Sequence, residues 1–595
     1  MRRESGGRLS GGITAALFQK TMVTMLIAEL TGAATAVIDS VLTGCFLGGE
    51  ALAAFGIGGP YFSIASIVSG LLMVGCTNRC TRAVGKGDVR ALSDVFSLTL
   101  TLGAVISVLL GLSGFLFADG YARLFGAGRA GAAVYADTRA YLRGIFPGAP
   151  GFILFVILTP ILQLDGDSTL PKIASAVSAF VDIAGDLLNI FVFKGGMLGM
   201  ALASTFSHYA ALAVTLTHFL KKGGMFRFSP EALRPRDVPP LLKDGLSRAL
   251  CMFSRALLPI LLNALALRVA GDAGVTALSA RTGASFLLGA LGWGIGGAVL
   301  LMGGMMAGEQ NVSGLRIVVR TALLDVLAFV TAFAAVVFVI APQIAALYVP
   351  EPGEVRDMAR TALRCYALCL PFLALNVSAS NYFLAVSRSL AANLVNVGIE
   401  VVFPAALTWL LCRVAGTQGL WWGFPAGQAL LSLLLFARFA LAKDGARSGV
   451  QAHMLLPPDF GVPPEDCIER SVHGLDDVVT LSQEVFGFCA AHGIGRREAN
   501  RLALCIEELA GNVIEHGFRD GKPHRLDLRV LVKEGRVTLR MRDDCELFDL
   551  KQKAASWAPD LEHPEKGIGI RLVMASASDI VYSASMNTNN LIITI

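Results

Sequence analysis

Up to Leu441 the chain has room for little besides membrane-spanning helices. From Leu17 to Leu441, apolar stretches follow one another with only short polar breaks. A helix needs about 20 such residues to cross the hydrocarbon layer. Backbone groups in lipid must be satisfied within their own segment, so these stretches are expected to be helices. The pattern changes near Lys443. From about Asp466 to Ile595 charged residues are frequent, and the periodicities are those of water-soluble helices and strands. One chain therefore joins a polytopic membrane half to a soluble half.

Composition agrees. Of 595 residues, 54% are hydrophobic and 16% charged, and the mean hydropathy is +0.62. A soluble domain carries about a quarter charged residues. Twelve spans with short loops need roughly 430 residues, the length before the change. They are expected near 13–46, 51–76, 92–118, 138–162, 170–193, 197–220, 241–269, 276–306, 317–347, 358–386, 390–414 and 418–441.

Basic residues cluster at Met1–Arg8, Arg79–Arg90 and Lys221–Arg236, all on one side if the spans are counted this way. The positive-inside rule makes that side cytoplasmic, with both termini inside. The expected setting is a bacterial-type inner membrane, and the juxtamembrane position of the basic patches speaks against nucleic acid as a partner. The eleven Cys are scattered. Cys76 and Cys80 lack further ligands at zinc spacing, so they are expected to be small apolar helix residues. The first apolar stretch shows no cleavage pattern and is expected to stay as a span.

The membrane half repeats after roughly 223 residues. Leu47–Ala54 resembles Ala270–Ala277, and Ala83-Val84-Gly85-Lys86-Gly87-Asp88 resembles Met306-Ala307-Gly308-Glu309-Gln310-Asn311. The offset equals six spans, so the halves are parallel repeats, a transporter plan in which two lobes move about a central site. Convergent Gly/Ala helix packing is the plainer alternative.

Four segments carry a family likeness: Ile38-Asp39-Ser40-Val41 with Leu47–Ala54, Arg82–Asp88, Leu162–Ser168 with Pro171-Lys172, and Gly196–Ser204. Their order and spacing resemble the multidrug and toxic compound extrusion (MATE) family over about 10–442. The resemblance implies an ion-gradient-driven exporter of small organic compounds.

Carboxylates inside apolar runs cost roughly 2.5–3.5 kcal/mol each at mid-membrane, so each needs a reason. Asp39 lies in the first expected span between Thr35 and Thr43. Asp182 and Asp186 lie one turn apart in the fifth, near Asn189. Acids at that spacing repel unless protonated or bridged by a cation. The resemblance implies that Asp39 and Asp186 bind the coupling ion, H+ or Na+, with Asp182 and Ser204 beside them. Asp182 stands where many members carry Asn. Glu29 and Glu400 are two further acids in apolar context, and Arg248, Arg255 and Arg268 make the seventh expected span unusually basic.

The soluble half follows a Pro/Gly-rich linker, 443–465. Leu502, Ile506, Leu509 and Val513 form one helical stripe, and Glu508, Asn512 and His516 another. Leu526–Val532 and Val537–Met541 alternate as strands joined at Glu534-Gly535, and Asp543 continues the buried phase of the second. A buried acid needs a hydrogen-bonding partner. Lys566-Gly567-Ile568-Gly569 opens an apolar helix, a setting suited to phosphate.

In this order, Glu508–His516, Met541–Asp549 and Gly567-Ile568-Gly569 resemble the nucleotide boxes of the GHKL ATPase superfamily, nearest its anti-sigma-factor serine kinases. The resemblance implies ATP and Mg²⁺ as cofactors. Glu508 would be the general base, Asn512 the Mg²⁺ ligand and Asp543 the adenine reader, with Gly567 and Gly569 closing a lid over 550–566. A small anti-anti-sigma-like regulatory protein would be the partner. Cys545 and Leu547 depart from the pattern, standing where Gly is usual.

The expected fold is thus an all-α polytopic membrane domain of twelve helices plus a small α/β sandwich. The expected lobes are 1–222 and 236–442, and the expected ATP-binding domain is 466–595. The expected function is cation-driven efflux with a regulatory or serine-kinase-like domain. Two alternatives are a membrane-anchored sensor kinase and a flippase of lipid-linked precursors.

Overall fold

The computed structural model describes residues 11–129, 131–220, 224–229, 231, 234–349, 352–442, 453–456, 460–520, 523–533, 535–548 and 568–595. In the first lobe the helices are α1 (Gly11–Leu42), α2 (Gly49–Gly58), α3 (Pro60–Lys86), α4 (Val89–Leu116), α5 (Ala118–Leu124), α6 (Ala132–Ile145), α7 (Ala149–Leu164), α8 (Leu170–Leu188) and α9 (Gly196–Leu216). The second lobe has α10 (Val238–Leu288), α11 (Ala290–Gly308), α12 (Val312–Asp325), α13 (Thr331–Tyr348), α14 (Glu354–Ala385), α15 (Ser389–Val397), α16 (Phe403–Ala415) and α17 (Thr417–Ala440).

Among the described residues, 11 helical stretches are long and apolar enough to cross a membrane. The chain is a multi-pass membrane protein. The expected seventh span, 241–269, lies in α10, where only Leu257–Gly271 reads as a shorter apolar helix. Its Lys, Asp and Arg residues dilute the apolar character. α10 is kinked at Gly271, whose φ of 61° and ψ of −156° are non-helical.

The repeat is visible in the backbone. Gly87 N bonds Val84 O and Asp88 N bonds Ala83 O; 223 residues on, Gln310 N bonds Ala307 O and Asn311 N bonds Met306 O. Gly87 and Gln310 both take left-handed backbone, with φ of 75° and 52°. Such a residue closes the C-terminus of a helix by satisfying its last carbonyls. Asp88 then caps α4 by accepting from Ala91 N, and Asn311 caps α12 by accepting from Gly314 N. Short side-chain oxygens at this position satisfy the first free amides of the next helix. The same chemistry therefore builds both turns from different residues.

The two lobes meet where these turns lie. A Cβ on Gly85 would strike the backbone of Met305 to Glu309, and one on Gly308 the backbone of Arg82 to Gly85. Arg82 donates across the seam to Asp244 at 2.9 Å, and Gln19 to Asp325 at 2.9 Å.

The soluble half is a five-stranded antiparallel sheet in the order β1-β2-β3-β5-β4. Its strands are β1 (Cys467–Val472), β2 (Leu526–Lys533), β3 (Arg536–Asp543), β4 (Asp579–Ser585) and β5 (Thr588–Thr594). One face packs on α18 (Leu475–Ala491), α19 (Arg496–Asn512) and the helix Ile568–Ser576. Their shared core includes Leu502, Ile506, Leu528, Val530, Leu539 and Val573. β2 and β3 are the two strands expected from alternation, and Gly535 turns between them with φ of 74°. The other face of the sheet meets the membrane half.

Candidate functional sites

Within the first lobe, Asp39, Asp182 and Asp186 are all buried, at 7%, 4% and 1% exposure. α1 brings Asp39 to α8, where Asp182 and Asp186 are its charged neighbours. Asp182 lies beside the hydroxyls of Ser204 and Ser207, both buried on α9. Four carboxylate oxygens in this group, Asp39 Oδ1, Asp182 Oδ1 and both of Asp186, are buried without a hydrogen-bond partner in the structure. The hydroxyls of Thr43, Tyr61 and Tyr141 are buried and unpartnered as well. Buried acids without donors are costly unless they hold a proton or a cation. Asn189 has a plainer role: its side chain accepts from Gly195 N and donates to Gly196 O, both at 3.0 Å, closing the turn into α9.

The remaining charges divide. Glu29 is exposed. Glu400 is buried, with the Cys251 thiol 3.5 Å from it. The side chains of Arg248 and Arg255 lie outside the described residues, and Arg268 is exposed. Arg281, missed by sequence reasoning, is buried in the second lobe with its guanidinium 5.6 Å from the Tyr366 ring centre and 5.0 Å from that of Phe424. A guanidinium over aromatic faces is held electrostatically by the ring quadrupoles. Cys76 and Cys80 are buried in α3, as expected of apolar helix residues.

In the soluble half, Asp543 is 2% exposed on the helix-covered face of β3. Its Oδ1 accepts from Asn589 Nδ2 at 2.8 Å and from Cys545 N at 3.1 Å. Burial raises its carboxyl above the usual carboxylate range, while the donors from Asn589 and Cys545 pull it down. Asn589 also bonds Glu546 O, Phe548 N and the Tyr582 hydroxyl. It thereby orders the segment after Asp543. Its signal in the sequence was the same as that of Asp543: a polar residue in phase with the buried Leu591 and Ile593.

Glu508 is half-buried on α19, and a Cβ on Gly569 would fall onto its carboxylate. The chain thus brings the acid to bare backbone at the start of the helix Ile568–Ser576. Asn512, one turn on, is half-buried. His516 is not held on that face: α19 gives way to a π-turn at Val513–Gly517, and His516 is exposed. The wider turn breaks the spacing that put it in line with Glu508 and Asn512. Gly567 and the expected lid, 550–566, lie outside the described residues.

Cys545 is buried against Gly517, where a Cβ would come within 2.7 Å of its Sγ. Leu547 is 46% exposed. The described part of this half thus brings together a buried acceptor, a half-buried acid and carboxamide, and a glycine pressed against that acid.

Comparison with known proteins resolves the family. The MatE model matches residues 24–188 and 249–410, together more than half of the chain. The chain belongs to the MatE family. Its C-terminal part, 474–595, matches the histidine kinase-like ATPase domain. It is a MATE-type membrane domain fused to an ATPase-type domain.

Multidrug export protein MepA of Staphylococcus saprophyticus is 26% identical over 220 residues, which are 36% of this chain and 48% of that protein. MepA of Staphylococcus aureus gives the same figures. The chain thus spans about half the length of the curated relatives it matches. Among solved structures, an outward-facing multidrug resistance MATE transporter of the MOP superfamily superposes with a TM-score of 0.66 at 20% identity, over 74% of this chain and 98% of that one. A mutant of the Vibrio cholerae MATE transporter VcmN gives 0.65 at 22%, over 72% and 96%. These likenesses establish the MATE fold of the membrane half.

Proposed function

We propose that the protein is a secondary exporter of small organic compounds, driven by H+ or Na+, with an ATP-binding regulatory domain on the cytoplasmic side of a bacterial inner membrane. The carrying observation is the group Asp39, Asp182 and Asp186, four of whose carboxylate oxygens are buried without a donor. A cation bound there would compensate the mutual repulsion of the three acids, and its release would restore it. Binding of cation and substrate at different stages of lobe movement is then coupled through the cost of leaving these acids bare.

The relatives' name, multidrug export protein, supports drug-like cargo. The soluble domain would hold adenine at Asp543, and Mg²⁺-bound phosphates near Asn512, Glu508 and Gly569. ATP here sets the state of the exporter rather than driving it. Phosphoryl transfer to a small regulatory protein, with Glu508 as base, would be a further output of the same site.

The test uses everted vesicles with an imposed proton or sodium gradient and ethidium as reporter. Asp39→Asn and Asp186→Asn should each abolish gradient-driven ethidium movement while the protein still inserts. Gradient-driven movement unchanged in both variants would remove the coupling assignment.

A further inference from the structure

The open face of the sheet is built to hold two equivalent helix ends at once. Three arginines, Arg529, Arg540 and Arg542, point from β2 and β3 away from the soluble core. Arg540 Nη1 donates to Gly85 O at 2.7 Å, in the last turn of α3. Arg529 donates to Glu309 O at 3.2 Å and Gln310 O at 3.4 Å, just beyond the end of α11. The carbonyl end of a helix carries partial negative charge and unsatisfied acceptors, and a guanidinium answers both. The two helix ends are the repeat-related turns, one in each lobe. Arg542 also forms an ion pair with the Glu309 carboxylate, buried at 8%.

Other contacts extend this arrangement. On the first lobe, Met586 N, at the tip of the β4–β5 hairpin, donates to Leu164 O at 3.2 Å. On the second, Lys533 Nζ donates to Gln310 Oε1 at 3.0 Å, and Ser313 bonds Glu469. Thr14, near the start of α1, lines the same cleft as Glu309 and Arg540. The sheet thus grips both lobes beside the Gly85–Gly308 contact where they close.

We propose that the soluble domain is an intramolecular latch: through Arg529, Arg540 and Arg542 it ties the repeat-related ends of α3 and α11 together and holds the exporter closed on its own side. The inference rests on the reading that the lobes separate there during transport. Opening that side moves Gly85 from Gly308, and the sheet cannot keep both bonds. The latch must release at least one lobe in each cycle. β3 makes a route for control, because Arg542 faces the membrane half while its neighbour Asp543 faces the candidate nucleotide site.

The test is spin-label distance measurement on the full chain, with exposed Cys45 replaced. One label pair, at Thr169 and Leu390, reports lobe separation. A second pair, at Arg497 and Leu390, reports domain docking. In Arg540→Glu/Arg542→Glu both distances should gain a second, longer population. Adding Glu309→Arg to Arg542→Glu should return much of that population to the original distance, which a merely misfolded variant would not do. The proposal falls if the domain moves away and the lobes stay as they were. It falls equally if neither distance changes. Neither readout uses transport, so loss of the cation-coupling assignment leaves this test standing.

Discussion

Replacing Asp543 by Asn tests the proposed nucleotide site at its most constrained atom. Oδ1 is already committed to Asn589 Nδ2 and Cys545 N, so adenine has to use the other oxygen. In the Asp543→Asn variant the retained carbonyl keeps those two donors. The new NH₂ then meets the adenine amino group donor to donor. A hydrogen bond to a charged group is worth about 1.5–3 kcal/mol, and each 1.36 kcal/mol is tenfold. The dissociation constant for Mg-ATP should therefore rise roughly 10- to 150-fold. Calorimetric titration of the full chain in detergent measures it.

The pH dependence gives an independent sign. Burial raises the Asp543 pKa in the folded protein, so the folded state holds that proton more tightly than the unfolded chain does. Its stabilising contribution is present at low pH and is lost as pH rises through the raised value. Adenine needs the ionised form. ATP affinity should therefore fall as pH drops through a midpoint above about 3.9, the ordinary Asp value, and binding there should release a proton. Asn589→Leu removes a donor that favours the charged form, so it should move that midpoint upward. An Asp543→Asn variant that is folded and binds within twofold of the parent, with the same pH profile, would refute the assignment.

Gly569→Ala would place a methyl group where the Glu508 carboxylate lies; nucleotide affinity should fall in titration while circular dichroism is unchanged. Gly308→Leu would push side-chain atoms into the backbone of α3, and overpacking of this kind costs about 1–3 kcal/mol. The cost falls only on the state closed at this end. The Thr169–Leu390 distance should therefore shift towards longer values even with the latch intact, and an unchanged distribution would mean that this packing is not what sets closure.

The legible parts of the molecule were those with a one-dimensional cost. Apolar length marks spans, and Asp39, Asp182 and Asp186 stand out because an acid in such a run is expensive. Asp543 stood out by strand phase. The repeated turn was legible because cap chemistry is local, although Gly87-Asp88 became Gln310-Asn311. What failed had no local signature. β4 and β5 join through Met586 and Asn587, both left-handed with φ of 56° and 61°, but without the glycine that usually marks such a turn. β5 is buried on both faces along Thr588–Leu591, so it does not alternate. Arg281 finds Tyr366 and Phe424 only through the fold. His516 was misplaced because a π-turn leaves no trace in helical periodicity.

The arginines of the open face show why the joining of the two halves was unreadable. Along β3, Thr538, Arg540 and Arg542 occupy the phase that a solvated strand face would occupy, and an isolated domain would be read as exposing them to water. Arg529 and Arg540 reach main-chain carbonyls at helix ends, which carry no residue identity, and Arg542 pairs with the Glu309 carboxylate beside them. Recognition of that kind depends on where two helices stop, not on which side chains they end with. It can therefore be satisfied twice by one sheet only if the two ends share a geometry. The internal repeat supplies that condition: left-handed closure at Gly87 and Gln310 presents α3 and α11 alike. The duplication that builds the two lobes thus also makes a surface that one soluble domain can span.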